Sequence, residues 1–297
     1  MPNPFQGSIV ALPTPLRDGQ IDFETFAKLI KRQIGISDAI VVAGTTGEAM
    51  SLTDKERRGV IYAAVEAAKG EIKVLAGVGT SVTAESIELA RFSTASGADG
   101  LLVVAPPYTR PSRRGLAVHF SAIAESTTAP IVLYDVPGRT GVGMDVDLVR
   151  HLRQAHANIV AIKVSTPDWD RMRTFIADCG IPVLCGDDGH IVNALEAGAC
   201  GSVNVIGNVV PELMAELSAI MLGAGDAKQR RERATQITER LTPLLRDLSL
   251  DVNPIPVKCA LSILGYGNGE LRAPLLELEE ADRLQLASTL DAQQRVS

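Results

Sequence analysis

Eight short apolar runs, rich in β-branched residues, alternate with segments of helical spacing between Gly7 and Asn208. They are GSIVAL from Gly7, AIVVAG from Ala39, IKVLAGVG from Ile72, GLLVVAPP from Gly100, PIVLYDVP from Pro130, NIVAIKVS from Asn158, IPVLCGDD from Ile181 and GSVNVIGN from Gly201. Near-continuous apolar runs mark parallel strands covered on both faces. Eight such βα units predict a (β/α)8 TIM barrel. An open doubly wound sheet is the rival, but its dinucleotide fingerprint is missing: GVGTSV from Gly77 lacks the third glycine. Local signals agree. Thr53 to Glu56 reads as a capping box, Asp22 and Thr83 as N-caps, and Gly97, Gly180 and Gly198 as helix ends.

After about Gly223 the strand pattern stops. DAKQRRERATQITERLTPLLRDLSL reads as a charged amphipathic helix interrupted at Pro243, and VNPIPVKCALSILG and APLLELEEADRLQLASTL as further helices. The expected organisation is a barrel over residues 1–222 and a helical extension over 223–297. A net charge of −6 argues against nucleic acid as a partner. No apolar run is long enough to span a membrane, and MPNPFQGS lacks the pattern of a signal peptide. The four cysteines are scattered with no C-x-x-C pair, as expected of reduced thiols in a cytoplasmic protein. The four histidines show no ligand spacing, so neither a metal nor a cofactor is expected.

A parallel barrel carries its active site where its strands end. The polar residues at those ends are Thr45, Thr46 and Glu48 in GTTGE, Tyr108 in PPYTR, Tyr134 and Arg139 in YDVPGRTG, Lys163 with Ser165 and Thr166, Gly186 with Asp187 and Asp188, and Asn204 and Asn208. Lys163 stands out, because a lysine is out of place in NIVAIKVS. One reading lets its ammonium snorkel to water or pair with a carboxylate. The other uses it: a poorly solvated amine stays neutral more easily, and a neutral amine attacks ketones to form a Schiff base. By period-two counting, Ile159 and Ala161 share its face. Tyr134 and Tyr108 can move protons or simply pack. GTTGE suits a carboxylate or phosphate, or is an ordinary glycine-rich turn. Arg139 suits a carboxylate, or makes a surface ion pair. Asp187 and Asp188 read better as a turn than as an acid–base pair, and Lys258 reads as structural. Taken together, an amine, two phenols, two hydroxyls and a guanidinium suit imine chemistry on a small keto acid.

In order and spacing, GTTGE, the tyrosine of PPYTRPS, YDVPGRTG, NIVAIK, the GDD turn and NPIPVK resemble the dihydrodipicolinate (4-hydroxy-tetrahydrodipicolinate) synthase branch of the pyruvate-dependent class I aldolases, the family that includes N-acetylneuraminate lyase. The resemblance covers nearly the whole chain. It implies that Lys163 forms the Schiff base with pyruvate and that Thr46 holds the pyruvate carboxylate. Tyr134, Thr45 and Tyr108 form a proton relay, with Tyr108 reaching in from a neighbouring subunit. Arg139 binds the carboxylate of L-aspartate 4-semialdehyde, and Gly186 and Val203 line the pocket through their backbone. A homotetramer built as a dimer of dimers is also implied. Two departures, Asp135 where many members have Asn and Val164 where many have Glu, fall outside the family's catalytic positions. Lysine-inhibited members bind the end product at positions matching Ala49, Met50, Asp54, Arg57, Ser81, Glu85 and Pro107, of which only Glu85 keeps a typical polar contact. Weak or absent lysine inhibition is expected. Two rivals remain open: a sister aldolase acting on a 2-keto-3-deoxy sugar acid or N-acetylneuraminate, and a keto-acid-binding barrel without activity.

Overall fold

The computed structural model describes Met1 and residues 3–296. All eight apolar runs are strands: β1 (Gly7–Ala11), β2 (Ala39–Val42), β3 (Lys73–Gly77), β4 (Gly100–Val104), β5 (Ile131–Asp135), β6 (Ile159–Val164), β7 (Val183–Cys185) and β8 (Gly201–Asn204). They pair in parallel and in chain order, and β8 closes on β1 with Val203 opposite Ile9. The expected (β/α)8 barrel is thus formed, with helices outside it. These are α1 (Phe23–Gln33), α2 (Asp54–Ala68), α3 (Thr83–Ala95), α4 (Arg113–Glu125), α5 (Val146–Ala155), α6 (Trp169–Asp178), α7 (Ile191–Glu196) and α8 (Pro211–Leu222). A small antiparallel pair, Leu16–Arg17 with Gln20–Ile21, sits in the loop after β1.

Apolarity on both strand faces has a structural cause. Ile9, Val41, Leu75, Leu102, Val132, Val160, Leu184 and Val203 fill the barrel interior, and Phe5 closes its lower end. Val10, Ile40, Val74, Leu101, Leu133, Ile162 and Val183 face outward and pack under the helices. Gly100 must be glycine because a Cβ there would stand 2.5 Å from the Phe5 ring.

The β5–β6 pairing shifts register between Ile131 and Val132, which pair with Ile159 and Ala161 and leave Val160 unmatched. Val160 and Ala161 both enter the interior cluster, while Ile159 lies in the outer one. Period-two counting therefore fails at Ile159, because a bulge inserts one residue and flips the faces beyond it. Ala161 does share the face of Lys163, which points into the barrel.

After α8 come α9 (Ala227–Asp247), α10 (Ile255–Ile263) and α11 (Glu280–Val296). They share one apolar cluster with the barrel's outer face, through Ile237, Leu241, Leu244, Ile255, Leu286 and Leu290. Three local expectations are corrected. The helix α9 runs through Pro243 without interruption. Its stripe Ala234, Ile237, Leu241 and Leu244 is buried, and packing on both sides of the proline outweighs one lost hydrogen bond. The segment from Ala273 to Glu279 is not helical, and the last helix starts only at Glu280. Thr83 is not an N-cap. Val82 holds that place without a side-chain cap, and the Thr83 hydroxyl bonds the ring of buried His119 at 2.9 Å. By contrast, the Thr53–Glu56 capping box and the Asp22 cap are formed, and Gly97, Gly180 and Gly198 take positive φ at helix ends.

Glu56 serves twice, capping α2 and receiving the Arg272 guanidinium at 2.7 and 2.8 Å. Arg272 and the cap hold its carboxyl down to about 2 despite partial burial. A depressed carboxylate stabilises the fold above its ordinary value near 4.5, and that stabilisation is lost as pH falls toward about 2. Glu56→Gln is expected to lower the thermal midpoint by roughly 2–4 °C near neutral pH. The deficit should shrink as pH falls through that window, in melting curves recorded as a function of pH. An equal deficit at every pH would show that the charge is immaterial.

Candidate active site

At the C-terminal ends of the strands lies a cavity of about 610 Å³. Lys163, Tyr134, Thr45, Thr46, Arg139 and Gly186 all line it. An adjoining cavity of about 390 Å³ shares Thr45, Tyr134, Arg139 and Asn253. Strand ends far apart in the chain meet here because barrel closure brings β2, β5, β6 and β7 around one axis.

Lys163 is 7 % exposed, and its Nζ lies 4.3 Å from the centre of the Tyr134 ring on the neighbouring strand. β5–β6 register sets this directly, since Tyr134 pairs with Lys163. Burial pushes the Tyr134 phenol up, but the Lys163 ammonium and hydrogen bonding to Thr45 and Ser165 outweigh it, and the phenol lies below its usual value. A phenol so placed is primed to exchange a proton. Gly186 is a steric necessity: a Cβ there would stand 2.1 Å from Ser165 Oγ and 2.6 Å from Lys163 Cε. Ser165 donates to the Gly186 carbonyl at 2.9 Å.

Thr46 is buried at the cavity wall, and Arg139 is exposed on a helical turn, Pro137–Thr140. That turn is held from below by Asp135. Its carboxylate, fully buried, accepts from Met144 N at 2.8 Å and from Arg171 Nη2 at 2.6 Å, and Arg171 also donates to the Met144 carbonyl. The departure at Asp135 therefore has a structural role, because this carboxylate pins both ends of the loop that presents Arg139.

Two expected site residues lie elsewhere. Tyr108 is 94 % exposed, with φ +69°, and does not line either cavity. Its backbone N–H donates to the Thr140 carbonyl at 3.3 Å. Val203 belongs to the apolar interior of the barrel, and Val205 lines the cavity at that strand end. Asp187 accepts from Gly189 N in a turn, as its composition predicts. Asp188 goes further. It receives the N–H groups of Val205 and Ile206, tying the β7 loop to the β8 loop, and burial pushes its carboxyl up to about 6.

Sequence reasoning missed Asn253. Its Nδ2 donates to Thr46 Oγ1 at 3.0 Å, and its main-chain carbonyl accepts from Arg139 Nη2 at 3.0 Å. The only signal was the NPIPVK motif, and nothing local says that this loop crosses the barrel mouth. Lys258 proves structural as expected, buried in an ion pair with Glu48 at 2.5 Å. The described residues hold no group of His, Cys, Asp or Glu arranged for a metal. No helix among them is long and apolar enough to cross a membrane.

A model of the dihydrodipicolinate synthetase family matches residues 4–293. The chain belongs to that family. Among curated relatives, the 4-hydroxy-tetrahydrodipicolinate synthase of Geobacter metallireducens is 40% identical over 289 residues, covering 96% of this chain and 98% of the relative. That of Aquifex aeolicus is 41% identical over 289 residues, covering 96% and 97%. A crystal structure of the Aquifex aeolicus dihydrodipicolinate synthase superposes with a TM-score of 0.93, 40% identity and 98% of each chain covered. The family's fold and the barrel described above are the same architecture.

Proposed function

We propose that the chain condenses pyruvate with L-aspartate 4-semialdehyde through a Schiff base on Lys163, giving 4-hydroxy-tetrahydrodipicolinate. The observation that carries this reading is a buried lysine amine set over the Tyr134 ring, in one cavity with Thr46 and Arg139. The Lys163 amine attacks the pyruvate ketone, and loss of water leaves an imine. Thr46 holds the pyruvate carboxylate. Tyr134 and Thr45 move the protons, and loss of a methyl proton converts the imine to an enamine. The enamine carbon attacks the aldehyde, whose carboxylate Arg139 holds. The substrate amine then attacks the imine carbon, the bond to Lys163 breaks, and the ring closes. Gly186 leaves the space that the lysine side chain needs. Val203 supports the floor from within the barrel.

The relay takes its third member, Tyr108, from a neighbouring subunit of a homotetramer. Supporting this, Tyr108 projects into solvent from a positive-φ position that costs backbone energy, which fits a residue placed for another chain. A cytoplasmic location fits the reduced state of the four free cysteines.

Borohydride reduction in the presence of pyruvate, with peptide mass mapping, tests the proposal. A pyruvyl adduct on Lys163 is expected, and none there sinks it. A coupled assay with aspartate semialdehyde against N-acetylneuraminate separates this reading from a sister aldolase, which the VPGRTG arginine disfavours.

L-Lysine at millimolar concentration is expected to leave the rate almost unchanged. Arg57, at a position matching a lysine contact of inhibited members, spends its guanidinium on the carbonyls of Gly77 and Gly79 at 2.8–3.2 Å. A buried guanidinium committed in this way is not free to serve as a contact for a ligand. Substantial inhibition by submillimolar lysine in a steady-state assay would refute this.

A further inference from the structure

The extension after the barrel reaches the catalytic mouth through Asn253, in the loop between α9 and α10. One end of its carboxamide is engaged, with Nδ2 on Thr46, and its backbone carbonyl is engaged with Arg139. The other end, Oδ1, is buried and has no hydrogen-bond partner. A buried acceptor left unpaired is costly and uncommon. Here it occurs on a residue that lines both cavities and touches both residues assigned to carboxylates.

The aldehyde substrate proposed above has three polar groups: a carboxylate, the reacting carbonyl and an α-amine. The roles already given provide no acceptor for the amine. Amine and carboxylate share one carbon, so the acceptor must stand beside the group that holds the carboxylate. Asn253 is hydrogen-bonded to that group, Arg139. The acidic groups near the mouth are less well placed for this. Asp188 receives two backbone N–H groups and Glu48 is paired with Lys258, while Asp187 accepts from Gly189 N at one oxygen and has no hydrogen bond to Arg139 or Thr46.

We infer that Asn253 recognises the amine of an L-α-amino aldehyde, accepting from it at Oδ1 while its other groups hold Arg139 and Thr46 in place. This rests on the function proposed above. A neutral acceptor suits the chemistry that follows. The amine must first shed the ammonium proton. It then forms its bond to the imine carbon, a second proton passes from it to the Lys163 nitrogen, and the carbon–Lys163 bond breaks. A carboxylate at this place would favour the charged ammonium and hold back the nucleophile. A carboxamide orients the amine without that penalty.

Two unreactive probes on the pyruvate-loaded enzyme test this: L-homoserine, with an alcohol in place of the aldehyde, and 4-hydroxybutyrate, which lacks the amine as well. The parent is expected to bind L-homoserine roughly tenfold tighter or more, the scale of a hydrogen bond to a charged group. Asn253→Ala should erase the preference and raise the KM for aspartate semialdehyde more than that for pyruvate. Retention of the preference, or an equal rise in both KM values, overturns the inference. Asn253→Asp is close to isosteric and guards against a folding defect. It should bind L-homoserine at least as tightly while kcat falls, and an unchanged kcat and preference overturn the inference as well. Borohydride trapping on the parent separates the two levels. No Lys163 adduct overturns both the function and this role, whereas an adduct together with an intact preference in Asn253→Ala overturns this role alone.

Discussion

Lys163→Ala is expected to abolish the borohydride-trapped pyruvate adduct and to lower kcat by roughly 10³-fold or more, the scale on which loss of a covalent nucleophile is felt. The reason is geometric. Lys163 is 7 % exposed, and its amine lies over the Tyr134 ring in one cavity with Thr46 and Arg139. The chain has a second buried lysine, Lys258, but its amine is committed to Glu48 at 2.5 Å. Lys163→Arg makes the sharper variant, because it keeps a positive charge and removes the nucleophile. Both variants should keep the parent's circular dichroism and lose activity alike. An adduct that persists in either, on Lys258 or elsewhere, would show that the nucleophile has been misassigned. A large activity loss in Lys163→Ala with full recovery in Lys163→Arg would show that only the charge is used.

Lys258→Met is expected to cost about 3–5 kcal/mol of stability, because it leaves a buried carboxylate without its counter-ion. Lys258 and Glu48 side chains are 3% and 2% exposed, and Glu48 also accepts from the Arg272 backbone. Glu48 takes φ +53° at the end of GTTGE, so the pair clamps the loop that carries Thr45 and Thr46 onto α10. Replacing both partners, as in Lys258→Met with Glu48→Gln, should restore much of the loss, since an unpaired charge is worse than no charge. Denaturant unfolding of the parent, the two single variants and the double variant measures this directly. A Lys258→Met loss under about 1 kcal/mol, the scale of an exposed pair, would mean that water or another cation already compensates Glu48. Because neither Lys258 nor Glu48 lines the cavity that holds Lys163, the trapped pyruvate adduct should still form on Lys163 in the folded fraction of each variant.

Elements that rest on short-range pattern were legible from the chain. The eight strands follow from apolar runs of strand length, and the Thr53 box and the Asp22 cap follow from residues three positions apart. The candidate site was legible in the same way wherever a rule of the fold applied: strand ends hold Lys163, Tyr134, Thr45, Thr46, Arg139 and Gly186, and these converge. Failures occur where a distant contact outweighs local preference. Pro243 is carried through by the buried stripe of α9, and Thr83 is drawn to His119. The bulge at Val160 flips Ile159 to the other face. Tyr108, placed at a strand end by the same rule and in a neighbouring subunit's site by resemblance, stands outside the cavities of its own chain.

The sequence by itself determined the architecture and singled out the buried lysine. Repetition of one βα unit admits few closed arrangements, and a lysine within an apolar run is visible without coordinates. Tertiary structure alone decided what surrounds that lysine. Asn253, far along the chain from Lys163, is brought onto Thr46 and Arg139 by the packing of α9 and α10 on the barrel. The Asp135–Arg171 anchor and the Lys258–Glu48 clamp arise likewise between elements remote in the chain. Such contacts depend on relative placement in space, and periodicity, capping and turn chemistry report only on neighbours along the chain.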